Sequence, residues 1–212
     1  MEYVITIGRQ FGSGGHEVGS RLAKKLGIPF YDEELLTITA ENSQFAESFL
    51  EKVDEKKPGF MSLGVTGVSM GDAMLGNYYQ LSANDRAFVE TGKTMHLLAR
   101  KGPCVIVGRC ADYVLRDVPV INFFISADIK DRVARKTALE KESNLSADEM
   151  EKKILAVDKN RSKYYEYYSH EKWGDSAHYN LCINTSSVGV DGAVNILENY
   201  INEFGKKNIM PD

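Results

Sequence analysis

The chain is short of cysteine, has no excess of positive charge and contains no long apolar run, and each shortage excludes something. Its three cysteines, Cys104, Cys110 and Cys182, form no C-x-x-C pair, so neither a disulfide scaffold nor a paired-cysteine metal site is expected. Each lies in or beside an apolar stretch and reads as a buried thiol. Lys and Arg number 26 against 30 Asp and Glu, a formal net charge of -4. That balance argues against a nucleic-acid binder relying on a basic surface. No apolar run is long enough to span a bilayer, and no basic, then apolar leader opens the chain, so the expectation is a cytoplasmic protein without a membrane partner. What remains, 212 residues of which 43% are hydrophobic, suffices for one well-filled domain.

The most informative stretch runs from Ile5 to Gly19. A β-prone run, Tyr3 to Ile7, leads into glycines at 8, 12, 14 and 15, then into a helical pattern with Val18, Leu22, Ala23 and Leu26 on one face. Strand, glycine loop and helix is the arrangement that wraps backbone N–H groups and a helix N-terminus around a phosphate. The loop resembles a P-loop but departs from G-x-x-x-x-G-K-[ST]. Gly15 stands where the lysine would be and His16 where the hydroxyl would be, with one extra residue before Gly12. The dinucleotide pattern G-x-G-x-x-G also fails, since its third glycine would fall at Glu17. A phosphate site and a turn that merely permits close helix packing both remain open.

Further along, Ile28 to Asp32 reads as a short strand ending in an acid, completing a βαβ unit whose ligand edge holds both the glycine loop and Asp32. Asp32 could equally cap the helical pattern from Glu33 to about Val53. Residues 55 to 77 lose all periodicity and collect glycines, which predicts a mobile segment. Order returns with a helix from Leu81 to Lys101 and a buried strand at Cys104 to Val107, with Gly108 and Arg109 on its carboxyl end. An arginine there offers a planar fork for phosphate or carboxylate. Another strand at Val120 to Ile125 precedes a helix carrying Arg132 and Arg135. A longer helix from Ser146, with Glu149 at capping-box distance, carries Asp158 and Arg161. A last strand, Tyr179 to Ile183, and a helix from Val190 to Phe204 close a three-layer α/β domain.

Taken in order, Gly8 to Gly15, Phe30-Tyr31-Asp32, Val105 to Asp112, Arg132 to Arg135, Arg161 to Tyr165 and Trp173-Gly174 through Ser186 resemble the cytidylate kinase-like family over nearly the whole chain. The resemblance implies a P-loop nucleoside monophosphate kinase fold, one domain spanning 1–212, with five parallel strands in the order 2-3-1-4-5. It also implies a mobile acceptor-side segment at about 33–80 and a lid at about 136–165. By that resemblance Gly8, Arg9, Gly12, Ser13, Gly14, Gly15 and His16 receive the phosphates of ATP. Asp32, Arg109 and Asp158 hold the acceptor, and Arg132, Arg135 and Arg161 act in catalysis. ATP and Mg²⁺ enter as implied partners only. So does a nucleotide such as CMP or another small phosphorylated acceptor.

The departures matter as much as the matches. Without the loop lysine, one cation must be supplied by Arg9, Lys24, Arg161 or Lys163, or by a metal held by Asp32. Losing one positioned phosphate donor typically costs about 100- to 1,000-fold in rate. The expectation is ATP-dependent phosphoryl transfer to a small acceptor. The alternative is a nucleotide-binding regulatory protein with weak or no turnover. The chain permits a homodimer without requiring one. Tyr164, Tyr165 and Trp173 read as aromatic core beside the last strand or as a stacking surface.

Overall fold

The computed structural model describes residues 3–32, 82–140 and 145–209. The helix expected at Glu33 to Val53 and the irregular segment at 55–77 lie outside the described residues. So does the role of Asp32 as a cap for that helix.

Five parallel strands form one sheet: β1 (Val4–Arg9), β2 (Phe30–Tyr31), β3 (Val105–Val107), β4 (Val120–Ser126) and β5 (Leu181–Asn184). Their spatial order is β2-β3-β1-β4-β5, with Ile5 beside both Val105 and Ile121. Between them run α1 (Gly15–Leu26), α2 (Ala83–Lys101), α3 (Ala111–Val114), α4 (Ile129–Leu139) and α5 (Ala147–Ser169), and α6 (Thr185–Ile209) follows β5.

Alternation along β1 assigns the layers. Ile5 and Ile7 point to one face, where Val18 and Leu22 of α1 and Leu197 and Ile201 of α6 close over them. Val4 points to the other, toward Met95 and Leu98 of α2 and Leu115 after α3. A central strand covered on both faces must be apolar on both, which is why β1 and β3 read as continuous hydrophobic runs. Each fully buried side chain here contributes roughly 1.5–3 kcal/mol.

Local chemistry sets the ends. Gly27 leaves α1 at φ 67, its N–H returning to the Ala23 and Lys24 carbonyls, the left-handed exit that glycine permits. The capping box anticipated at Ser146 and Glu149 is formed in both directions. Two expectations shift. The last strand begins at Leu181 rather than Tyr179, because Ser176–His178 makes a tight turn capped by Asp175 and Tyr179 follows it as a link. Cys182 is exposed, unlike Cys104 and Cys110: β5 is an edge strand, and alternation that buries Ile183 turns Cys182 outward.

Candidate functional site

The carboxyl edge of β1 carries the glycine loop, between Arg9 and the start of α1 at Gly15. Gly12 has φ 79 and Gly14 φ 82. Both left-handed conformations favour glycine, and a Cβ on Gly14 would also press on the movable Arg135 Nη1 at 2.6 Å. The amides of Gly12, Gly14 and His16 meet no acceptor among the described residues, and Gly14 caps α1 without a side chain. N–H groups turned outward at a helix N-terminus suit an anion. Ser13 is fully buried; its hydroxyl donates to the Gln10 carbonyl at 2.8 Å, so its side chain shapes the loop from within.

The loop is braced through Phe11. Its N–H donates to Asp158 Oδ1 at 2.7 Å, and its carbonyl accepts from Arg132 Nε at 2.8 Å. Arg132 also pairs with Asp158, and at 4% exposure it has almost no surface for a ligand. The Phe11 ring lies between two cations, Lys136 Nζ at 4.4 Å and Arg161 Cζ at 5.4 Å. From below, the buried Thr185 hydroxyl donates to the Ser13 carbonyl at 2.7 Å. Helices α4 and α5 and the start of α6 therefore hold the loop in one shape.

Beside the loop, Asp32 stands at the carboxyl end of β2. His16 Nε2 lies 3.2 Å from one of its oxygens and Arg9 Nη2 3.7 Å from the other. The His16 ring is half-exposed and edges onto Phe30 at 5.2 Å. Arg135 reaches the loop at Gly14 and lies 3.5 Å from Glu17.

A cleft opens between the ends of β1 and β3. Its lining combines Gly8, Arg9, Gly108, Arg109, Cys110 and Arg161 with Asp112 and the aromatic residues Tyr164, Tyr165, Trp173 and Tyr179. Gly108, Arg109 and Cys110 follow one another at φ 81, 60 and 55. Non-glycine residues held in such conformations cost of order 1–3 kcal/mol each and cluster at functional sites. The chain there is bent sharply enough to present Arg109 on the rim.

The aromatic lining carries buried polar groups. Asp112 is 9% exposed, and Tyr165 Oη sits 2.8 Å from Asp112 Oδ2 and 3.2 Å from Glu171 Oε2. One phenol proton cannot satisfy two carboxylates. Burial raises the proton affinity of Asp112, as does the Glu171 charge, against the pull of the Tyr165 hydrogen bond and nearby amides. The Tyr179 hydroxyl, in a residue only 8% exposed, makes no well-formed hydrogen bond among the described residues, although the Tyr165 hydroxyl and the Gly174 backbone lie near it. It lies 3.3 Å from the place a Cβ on Gly8 would occupy.

The residues singled out in the sequence thus fall into three places. Gly8, Arg9, Arg109 and Arg161 share the cleft; Gly12, Ser13, Gly14, Gly15, His16 and Arg135 form or flank the loop; Arg132 and Asp158 brace it from behind. Asp158, implied as an acceptor ligand, binds the loop backbone instead in this form. Asp112, Tyr179 and Lys136 were not singled out. An acid two residues before the apolar Val114 and Leu115 was the one available signal for Asp112. For Lys136 there was none, since its partner Phe11 is 125 positions away.

Comparison with known proteins identifies the family and agrees with the fold. A model of the cytidylate kinase-like family matches residues 4–187. A cytidylate kinase of Staphylothermus marinus is 24% identical over 129 residues, covering 60% of this chain and 71% of that protein. A crystal structure of a protein from Eubacterium ventriosum superimposes with a TM-score of 0.68 at 28% identity, covering 94% of this chain and 98% of the other. A shikimate kinase from Bacteroides thetaiotaomicron, 12% identical, has a TM-score of 0.56 with the same coverage, a likeness of fold alone.

Proposed function

The chain belongs to the cytidylate kinase-like family, and from that premise we propose that it transfers the terminal phosphoryl group of ATP to a small acceptor, a nucleoside monophosphate such as CMP being the first choice. The observation that carries this reading is the meeting of Arg9, Arg109 and Arg161 in one cleft beside a loop with outward amides. These residues come from β1, the end of β3 and α5. Phosphoryl transfer demands little covalent chemistry from a protein beyond positioning two reactants and neutralising charge on the moving group.

In this reading the loop amides and the N-terminus of α1 receive the donor phosphates. Arg109 grips the acceptor's anionic group through its fork. Arg161, with Nη1 3.1 Å from the Arg9 carbonyl, stands between loop and cleft, where charge on the transferred group is greatest. Tyr164 and Trp173 offer flat faces to a base. Among the described residues no three metal-binding side chains gather. A Mg²⁺ ion would be held mainly by phosphate oxygens, with Asp32, beside His16 and Arg9, as the candidate protein carboxylate. The cleft's cavity volume is about 40 Å³, room for a few waters, so it must widen to admit a nucleoside.

The test is calorimetric titration with ATP plus Mg²⁺ and with CMP, followed by a product assay with both. ADP and CDP are the expected products. Binding of ATP without product in the presence of several nucleoside monophosphates would move the reading to the alternative, a regulatory nucleotide-binding protein, which Gly15 and His16 in place of lysine and hydroxyl favour. With turnover in hand, Arg161→Ala is expected to lower kcat about 100- to 1,000-fold with a much smaller change in ATP affinity. An unchanged kcat would remove Arg161 from the mechanism.

A further inference from the structure

The glycine at the lysine position has a neighbour that explains it. A Cβ on Gly15 would lie 2.5 Å from Arg9 Cβ, 3.1 Å from Arg9 Cγ and 3.2 Å from Ile125 Cβ. Nothing in the backbone of Gly15 asks for glycine, since its φ is not among the positive ones; the neighbouring side chain does. The stem of Arg9 already fills the first part of the path that a side chain at position 15 would take. Its guanidinium then crosses toward β3, where a Cβ on Gly108 would lie 2.0 Å from Nη1. Arg9 is thus cradled between two glycines, Gly15 under its stem and Gly108 under its head.

The head ends between the phosphate-type loop and the cleft. Its guanidinium stands 3.7 Å from Asp32. Other cations around the loop are placed differently. Arg132 is buried on Asp158 and Phe11, and Arg135 pairs with Glu17 at 3.5 Å. Lys24 sits in the last turn of α1, nine residues and roughly 13 Å of helix from Gly15.

We propose that Arg9 replaces the missing loop lysine: a cation delivered from the end of β1 instead of the start of α1, contacting the terminal phosphates of a nucleoside triphosphate. This deepens the reading of the protein as a P-loop phosphotransferase and rests on it. The exchange is mutual. An arginine at position 9 with this path excludes any side chain at 15, and a glycine at 15 makes room for it. The planar fork can hold two phosphate oxygens at once, where an ammonium acts as a point charge.

Three variants test it: Arg9→Gln, Gly15→Lys, and the double variant Arg9→Gly/Gly15→Lys, which also removes the Arg9 Cβ that lies 2.5 Å from a Cβ at position 15. Each is read by calorimetry with inorganic pyrophosphate and with ATP plus Mg²⁺, and by thermal unfolding without ligand. Arg9→Gln keeps most of the stem and removes the charge; it is expected to weaken both ligands about 10- to 100-fold with little change in Tm. Gly15→Lys is expected to lower Tm, because its Cβ has no room. In the double variant the lysine takes the vacated path, so Tm recovers and affinity returns above that of Arg9→Gln. Wild-type affinity in Arg9→Gln would overturn the proposal, and so would a double variant that recovers Tm but binds no better than Arg9→Gln. Should the wild-type protein bind neither ligand, the phosphotransferase reading fails and the proposal falls with it, an outcome distinct from the other two.

Discussion

The loop and the cleft lie side by side on the same sheet edge, yet they are built in opposite ways. Around the loop the inward residues are held from several sides: Phe11 at its N–H, its carbonyl and its ring, and Ser13 at its hydroxyl and its carbonyl. The cleft keeps two consecutive non-glycine residues in left-handed conformations, one phenol between two carboxylates and one buried hydroxyl that makes no well-formed hydrogen bond among the described residues. An anion site made of backbone amides works only if those amides are already aligned, so it is braced in advance. A site for a second, more particular ligand can leave donors and acceptors that the ligand completes, and unsatisfied groups then mark where it binds.

Breaking the brace should have the largest effect. Arg132→Ala leaves Asp158 buried without its cation and is expected to destabilise by about 3–5 kcal/mol, read from urea unfolding. The double variant Arg132→Ala/Asp158→Ala should cost less than the sum of the two single changes, because the uncompensated charge goes too. Additive losses would mean that the pair does not act as one unit.

Tyr179→Phe tests the opposite region and should behave in the opposite way. Removing a buried hydroxyl that makes no well-formed hydrogen bond among the described residues is expected to leave stability unchanged or raise it by up to about 1 kcal/mol. The acceptor KM should rise while ATP binding stays constant. A stability loss above that size would show that the hydroxyl has a partner in solution.

The smallest effect is a pH dependence. Asp112 binds its proton more tightly folded than unfolded, chiefly through burial. The folded state therefore holds more protons, and stability falls as pH rises. That fall begins near the ordinary carboxylate pKa of 3.8 and ends above the raised folded value. Asp112→Asn, which still accepts from Tyr165, should remove this slope; a slope that persists in the variant would assign it to another group.

Much of the fold was legible in the chain. The β-prone run from Tyr3, the glycines and the amphipathic pattern through Leu26 specify strand, loop and helix by local rules, and the capping box at Ser146 and Glu149 marks its helix start to the residue. The apolar runs at Val105 and Ile121 announce strands covered on both faces. Arg9 and Arg109 were legible as candidates because each stands at the end of a strand on the ligand edge, whereas Arg161, inside α5, was marked only by the family resemblance. Arg132 was legible as a cation but not as a brace, since its burial depends on Phe11 and Asp158, each far away in the chain.

The sequence by itself determined the order and type of the elements and the kind of ligand edge they make, because hydrophobic period, glycine placement and capping act over a few residues. Only the tertiary structure decided which cation does what. Arg9 over Gly15, Arg132 against Asp158 and Lys136 on Phe11 are contacts between elements distant in sequence or between side chains whose paths cross, and no local pattern encodes them. A side chain's charge is written in the sequence. The partner it meets depends on how the helices pack around the sheet.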